Sequence, residues 1–594
     1  MRRLLLVMLG LMLVCTQLLA QTRTVAGKVT DEKGEPVPNA TVSIKGTRLA
    51  TSTASDGSFH LNVPANAQTL VISSIGMGSK EVSVDAQSFM NIALTSQDKT
   101  LSEVVVVGYQ TLKRGELTSS IAKIGGQEIA QKPITSFLQN IQGKATGVQV
   151  IGVSGRPGAN AFIRIRGTGS INAGSDPLIL VDGISISTTA YNMINPNDVD
   201  DIVVLKDAAA TSIYGSRGAN GVLLVTTRKG QGKPSLSYSF QYGTFKPQEL
   251  QNARLMTSLE KLQYEYQGGY QNPYLDSMIQ NRINAGLFPA GSDITTLTDA
   301  QRQDLWNLAA ARGVGDWRKY LLQDATTQTH QIALSGASDK IRYYFSLNKS
   351  DNKGIEPGSY WNRTGGRLNV DYNALDWFKM GTNIGVTYTK ENVVRDLFNT
   401  QNNYAATFLS NPYEPLYNTD GTYNLTMQGY SPLEGTQNNP DLVRRVANFG
   451  TIYGELNFFK HLAIRSQLGI NYNTLQEESY LQPGSNLANI LGFNQKRDNG
   501  AQDFLYQWTN TANWRQTIAD KHNINILAGT EFLKDKLYTY SLTGRNLPTA
   551  SVNTLDNAGS PTQATTSRSD YSLISYFANA TYDFNRKYFF TASG

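Results

Sequence analysis

The chain holds one cysteine in 594 residues, Cys15, and it lies in a leader-like N-terminus. With that leader removed no thiol remains, which excludes a disulfide framework and a cysteine nucleophile. Histidine is nearly as scarce. His60, His330, His461 and His522 are scattered, and none begins an H-x-x-E or H-E-x-x-H zinc pattern. No nucleophile–base pair or metal constellation stands out, so the sequence reads as that of a non-enzyme without a cofactor. Charge is sparse too. Charged residues make up 17% of the chain, whereas soluble domains carry about 25%. The formal net charge of +6 is too mild to argue for nucleic acid. After the leader, no apolar run reaches the roughly 20 residues that a membrane-spanning helix needs.

What is present begins with "MRRLLLVMLGLMLVCTQLLAQT". A basic start at Arg2 and Arg3, an apolar stretch from Leu4 to about Val14 and small Ala20 describe a secretory signal peptide over residues 1–20. The chain is also rich in Tyr (30) and Gly (52). An exported chain of this kind, lacking a spanning helix, is either soluble and β-rich or an outer-membrane barrel.

Residues 22–97 show short alternating runs split by the turn signals "DEKGEP", "SDGS" and "VPANA". They predict a small β-sandwich with Val25, Val29, Val42, Ile44, Phe59, Leu61, Val63, Leu70 and Ile72 in its core. Residues 115–230 mix signals. An amphipathic stretch places Ile134, Phe137, Leu138 and Ile141 on one face, and "GVQVIGV", "AFIRIRG", "DPLILVDGI", "VDDIVVLKD" and "GVLLVTTRKG" read as strands of a compact α+β domain.

From 233 to 594 the alternation is clear. In "FKMGTNIGVTYT", Phe378, Met380, Ile384, Val386 and Tyr388 oppose Lys379, Gly381, Asn383, Gly385 and Thr387. A soluble sandwich alternates as well. Two features favour a transmembrane antiparallel barrel: runs of about 10 residues, long enough for tilted spanning strands, and connections that alternate in length. Short turns at "GASDK", "NALDW", "FKHL", "IADKH" and "NRK" separate long loops at about 244–327, 391–446, 476–501 and 546–568. The strand candidates number about eleven, and bacterial single-chain barrels have an even number. We therefore expect an incomplete barrel, the N-terminal part of a longer protein.

Between the first two regions, 101–112 carries "LSEVVVVGYQ". On its residues alone this run is either the last strand of the sandwich or a free strand offered to a partner's sheet edge. Further on, "YGSRGANG" lacks both the G-K-[ST] ending and the G-x-G-x-x-G spacing of nucleotide loops. Its glycines suit tight turns instead.

Residues 22–97, with G-x-V-x-D-x-x-G-x-P followed by "SDGSFHLNVP", resemble the carboxypeptidase-regulatory-like, transthyretin-type sandwich. With "LSEVVVVGYQTLKRGELTSSIAKI", "FIRIRGTGSINAGSDPLILVDG" and "DIVVLKDAAATSIYGSRGANGVLLVTTRKG", the whole chain resembles the SusC/RagA family of TonB-dependent outer-membrane transporters. Gln110 departs from the pattern, where glycine often follows the tyrosine. The resemblance implies a plug at 115–230 and a barrel of 22 strands from 233 onward. It makes Glu103, Val104, Val105, Val106, Val107, Gly108 and Tyr109 a TonB box, and assigns Arg164, Arg166, Gly167, Asp182, Gly183, Lys206, Asp207, Tyr214, Gly215, Arg217, Gly218 and Gly221 to plug motifs. The implied partners are TonB, a SusD-like surface lipoprotein, the lipid bilayer and a glycan or peptide substrate. The implied location is the outer membrane, with the N-terminal domain in the periplasm. A siderophore or cobalamin receptor would share plug and box, but such receptors usually lack the sandwich.

Overall fold

The structure, a computed structural model, describes residues 22–594 apart from 33, 48, 65–68, 75–76, 85–88, 96–103, 114–119, 131–137, 153, 171–173, 249–253, 394–401, 426–430 and 460. The signal-peptide reading, Glu103, Ile134 and Phe137 lie outside the described residues. The chain divides into two compact units. One is the N-terminal sandwich, and the other holds residues 106–111 and everything from 118 onward.

In the sandwich, β1 (Thr22–Thr30) pairs antiparallel with β4 (Ser58–Pro64) and parallel with β7 (Phe89–Ala93). The facing sheet runs β3 (Ala50–Ser52), β2 (Thr41–Ile44), β5 (Thr69–Ser73), β6 (Lys80–Ser83). All nine residues expected in the core are buried. The period-2 pattern shows in β4, where Phe59, Leu61 and Val63 turn inward and the residues between them do not. The valine run joins neither sheet. β8 (Val104–Val107) pairs only with β9 (Gln110–Lys113), as a separate hairpin.

The plug is a five-stranded sheet ordered β10 (Ile121–Gly125), β15 (Val199–Leu205), β16 (Val222–Thr227), β13 (Leu178–Val181), β14 (Ile184–Ile186). A hairpin of β11 (Val148–Gly152) and β12 (Ala161–Ile165) accompanies it. The central strands β15 and β16 are continuous apolar runs, Ile202–Leu205 and Val222–Val225, buried on both faces. That is why they lack alternation. Leu138 and Ile141 of the amphipathic stretch join the same core from a short 3-10 turn.

The rest of the chain builds one antiparallel sheet of eleven strands in strict sequence order. These are β17 (Ser235–Phe245), β18 (Ala325–Ala337), β19 (Ile341–Lys353), β20 (Tyr360–Leu375), β21 (Phe378–Asn392), β22 (Asp441–Phe458), β23 (Leu462–Leu481), β24 (Gln495–Ile518), β25 (His522–Arg545), β26 (Ser560–Phe584) and β27 (Tyr588–Ser593). β17 and β27 are its edges, so the sheet is open. Every expected short turn joins the two strands expected. Several strands are longer than the runs of about 10 residues read from sequence, up to 25 residues in β26. The sequence pattern fades where a strand leaves lipid: β23 presents Ile464, Leu468 and Ile470 outward but then Thr474, Gln476 and Glu478. Beyond the apolar band both faces meet water, and alternation no longer marks the strand.

The 246–324 connection folds helices Ser258–Gln267, Pro273–Asn284 and Asp299–Arg312 around Leu262, Leu275, Leu305 and Trp306, with Tyr413 from the β21–β22 connection in the same core. Among the described residues no helix is long and apolar enough to cross a membrane.

Candidate functional site

The turn between β8 and β9 lies against plug and sheet wall. Gly108 adopts φ +64°, a conformation that favours glycine, and a Cβ there would come within 2.2 Å of Ile213 Cδ1, which would have to move. Tyr109 follows. Its ring stacks on Phe577 of β26 at 4.6 Å between centroids and lies 5.7 Å from Tyr214 of the plug. Its hydroxyl donates to Glu531 Oε2 on β25 at 2.6 Å. Burial, then the neighbouring Glu531 carboxylate, holds the Tyr109 phenol well above its ordinary pKa, so it acts as a donor. Gln110 completes the anchorage, accepting from Asn525 Nδ2 at 2.9 Å.

Glu531 is the hub. It is 2% exposed and accepts from Tyr109, Arg217, Gln507 (2.8 Å) and Thr509 (3.1 Å). Arg217 comes from the plug's "YGSRGANG" turn, so one wall carboxylate joins the valine-run turn to the plug.

The other motif residues separate into local plug ties and wall ties. Arg164 pairs with Asp176 at 2.5 Å, and Arg166 with Asp207. Asp207 also accepts from the Ser120 backbone N–H at 2.6 Å; that bond, ahead of the Arg166 guanidinium, holds its carboxyl below the ordinary range. Lys206 donates to the Thr146 carbonyl at 2.9 Å. Gly167, Gly215 and Gly221 all have positive φ, and Gly218 packs against the Thr211 carbonyl. Tyr214 and Arg217 lie beside Tyr109 and Glu531.

Asp182 and Gly183 form the tight β13–β14 turn, with φ of +50° and +90°, as an Asp-Gly hairpin favours. Asp182 accepts from Thr227 N (3.0 Å), Thr227 Oγ1 (2.6 Å) and wall Arg367 (3.2 Å). The wall glutamines Gln467 and Gln507 donate to the carbonyls of Asp182 (3.1 Å) and Gly183 (3.0 Å). A third tie is Asp198, 3% exposed, which accepts from Gln331 (3.0 Å), Tyr344 (2.8 Å) and Ser346 (2.7 Å) of β18 and β19. Sequence reading missed Glu531, Gln507, Asp198 and Arg367. They occupy positions where polar residues are the rule, so nothing in their spacing singles them out.

A plug held inside a wall of long antiparallel strands defines the plug-bearing β-barrel proteins of the bacterial outer membrane. Known proteins agree. Residues 113–222 match the TonB-dependent Receptor Plug Domain, and residues 25–107 the CarboxypepD_reg-like domain. The TonB-dependent receptor P26 of Formosa agariphila is 29% identical over 96% of this chain and 55% of its own length. The TonB-dependent receptor SusC of Bacteroides thetaiotaomicron is 31% identical over 71% of this chain and 39% of its own. The RagAB peptide importer in its open-open state shares the fold, with a TM-score of 0.70 and 24% identity over 83% of this chain and 56% of that one. Over its length the chain is similar to TonB-dependent receptors, SusC among them, and it carries the TonB-dependent receptor plug domain. It spans about half the length of the curated relatives it matches.

Proposed function

We propose that the protein imports a nutrient across the outer membrane, driven by TonB from the periplasm and assisted by a SusD-like surface lipoprotein. Import rather than catalysis accords with the relatives, which are named as receptors. The substrate class is a glycan or a peptide. The likeness to SusC and to a peptide importer supports that pairing of possibilities. The N-terminal sandwich, on this reading, stands in the periplasm.

The observation that carries the reading is the Tyr109–Glu531–Arg217 junction. Residues 103–109 form the TonB box. A partner strand that pairs with their backbone and pulls would act first on Tyr109. It would then act on the carboxylate that also holds the plug. The other plug residues named above maintain the plug's own turns and its seat against the wall.

The test uses proline in the full-length transporter. Proline removes a ladder donor and fixes φ, so Val105→Pro or Val106→Pro abolishes uptake while membrane insertion and ligand binding persist. Val105→Ala, which keeps the main-chain pairing, has a small effect. Growth on the nutrient is read beside a blot of outer-membrane fractions. Normal uptake by the proline variants refutes the TonB box, and loss of the protein from the membrane assigns the run a structural role. A ligand screen with the partner lipoprotein separates glycan and peptide from a siderophore-type cargo.

A further inference from the structure

Strands β24, β25 and β26 have 24, 24 and 25 residues. At about 3.3 Å per residue they run roughly 80 Å, far more than the ~30 Å hydrocarbon core of a bilayer. They therefore project from the apolar band on the side of the long loops. Contacts fix the two faces of the wall. Ser346 of β19, Phe449 of β22 and Glu531 of β25 meet the plug, so alternation turns their neighbours outward. Read from the short turns upward, the outward positions of these three strands carry no Lys, Arg, Asp or Glu until Lys349, Arg444 and Lys534.

Lys349 and Arg444 have carboxylate partners in Asp351 and Glu478. Lys534 forms no ion pair among the described residues, and neither does Lys536 or Arg568 on the same face; Asp570 stands opposite Lys536 without pairing with it. The register sets Lys534 beside Tyr506, Lys536 beside Phe504 and Tyr538 beside Arg568. The Arg568 guanidinium lies 5.4 Å from the Tyr538 ring centroid. Below them Tyr506 meets Phe532 at 5.7 Å between centroids. Three cations without carboxylates thus stand just above an aromatic strip. There lysine stems lie along apolar surface while the ammonium groups reach the headgroup layer. Because these side chains face outward, a solute inside the barrel does not meet them.

We propose that this face of β24–β26 binds a phosphorylated glycolipid of the outer leaflet. The acyl chains lie along Phe532 and Tyr506, and the phosphates on Lys534, Lys536 and Arg568. Lys534 and Tyr538 are four residues apart, about 13 Å along the strand. That span exceeds one phosphate and suits a headgroup built on sugars with separated phosphates. The proposal needs the wall's place in the outer membrane and not the import reading.

The test titrates the full-length transporter in detergent micelles with lipopolysaccharide, with its dephosphorylated form and with phosphatidylglycerol. Wild type binds the phosphorylated glycolipid most tightly, and inorganic phosphate does not displace it. Lys534→Gln, Lys536→Gln and Arg568→Gln combined weaken that binding roughly a hundredfold and leave the dephosphorylated form unaffected, whereas Lys349→Gln changes neither. Equal binding by wild type and the triple variant, or of the two glycolipid forms, overturns the site, as does displacement by inorganic phosphate. Phosphatidylglycerol bound as tightly as the glycolipid, or a Lys349→Gln loss as large as that of the triple variant, would mean a general attraction of anionic lipid to the wall and overturns it as well. If the triple variant is not inserted, Arg568→Gln alone decides, since it lies above the apolar band. Binding weakened several-fold supports the site, and wild-type binding overturns it.

Discussion

Tyr109 and Glu531, 422 positions apart, share a hydrogen bond of 2.6 Å. The first belongs to the valine-run turn and the second to a wall strand. Because Glu531 also holds Arg217 through its other oxygen, two segments share one carboxylate. Anything that changes the occupancy of one alters the environment of the other.

Tyr109→Phe removes that bond and keeps the ring on Phe577. Hydrogen bonds to charged groups contribute about 1.5–3 kcal/mol. Opening of the turn should therefore become about ten- to a hundred-fold more frequent. Hydrogen exchange over residues 104–111 in the intact transporter measures this. Exchange unchanged from wild type would show that stacking alone seats the turn.

Glu531→Ala does something different. It strands the Arg217 guanidinium, whose side chain is 18% exposed, and unpaired buried charges cost about 3–5 kcal/mol. Glu531→Ala should lower the denaturation midpoint of the plug sharply, and Arg217→Met combined with it should restore part of the loss. A double variant as damaged as the sum of the singles would mean that the two residues do not interact.

In the sandwich, Gly27 has no room for a side chain: a Cβ would meet the Met90 carbonyl at 2.4 Å and the Phe59 ring at 2.6 Å. The carbonyl belongs to the paired strand β7 and cannot step aside. Gly27→Val should destabilise residues 22–97 by at least the ~1–3 kcal/mol typical of overpacking. Circular dichroism of the isolated segment reads it: wild type melts cooperatively and the variant melts lower. A segment unfolded even as wild type would mean that the domain boundary is misplaced.

Much of the architecture was legible because burial has a period. The nine sandwich core residues, the plug strands and the eleven wall strands follow from alternation, continuous apolar runs and turn residues. What could not be read was which polar residue meets which. Gln507 and Glu531 sit on the lumen face of their strands, where polar residues are expected throughout. Their pairing with Gly183, Tyr109 and Arg217 depends on how the plug is seated, which no local pattern encodes. The lumen face also carries Phe449, Leu505 and Leu533, which pack against the plug core. An apolar residue on a nominally polar face marked the contact area, a signal that the alternation itself obscures. The valine run, too, could not announce its hairpin, since Gln110–Lys113 has no strand signature of its own.

Asp198 offers the sharpest test of how the plug is seated. Its neighbours Asp200 and Asp201 are more exposed, yet "NPNDVDD" gives no hint of which acid is buried. In the structure Asp198 alone meets three wall donors, from Gln331, Tyr344 and Ser346. Asp198→Ala leaves the Tyr344 and Ser346 hydroxyls without their acceptor, at about 1–3 kcal/mol for each group left buried and unpaired, while Gln331 keeps the Tyr344 hydroxyl at 3.3 Å. Asp200→Ala, close in sequence and exposed, is the control. The Asp198 variant should make the plug several-fold more sensitive to protease in detergent-solubilised transporter. It should also make cells more sensitive to a large antibiotic that the outer membrane normally excludes. If Asp198→Ala and Asp200→Ala behave alike in both assays, the plug is not held at this point, and the other ties, those of Glu531, Asp182 and Arg363 among them, carry the seating.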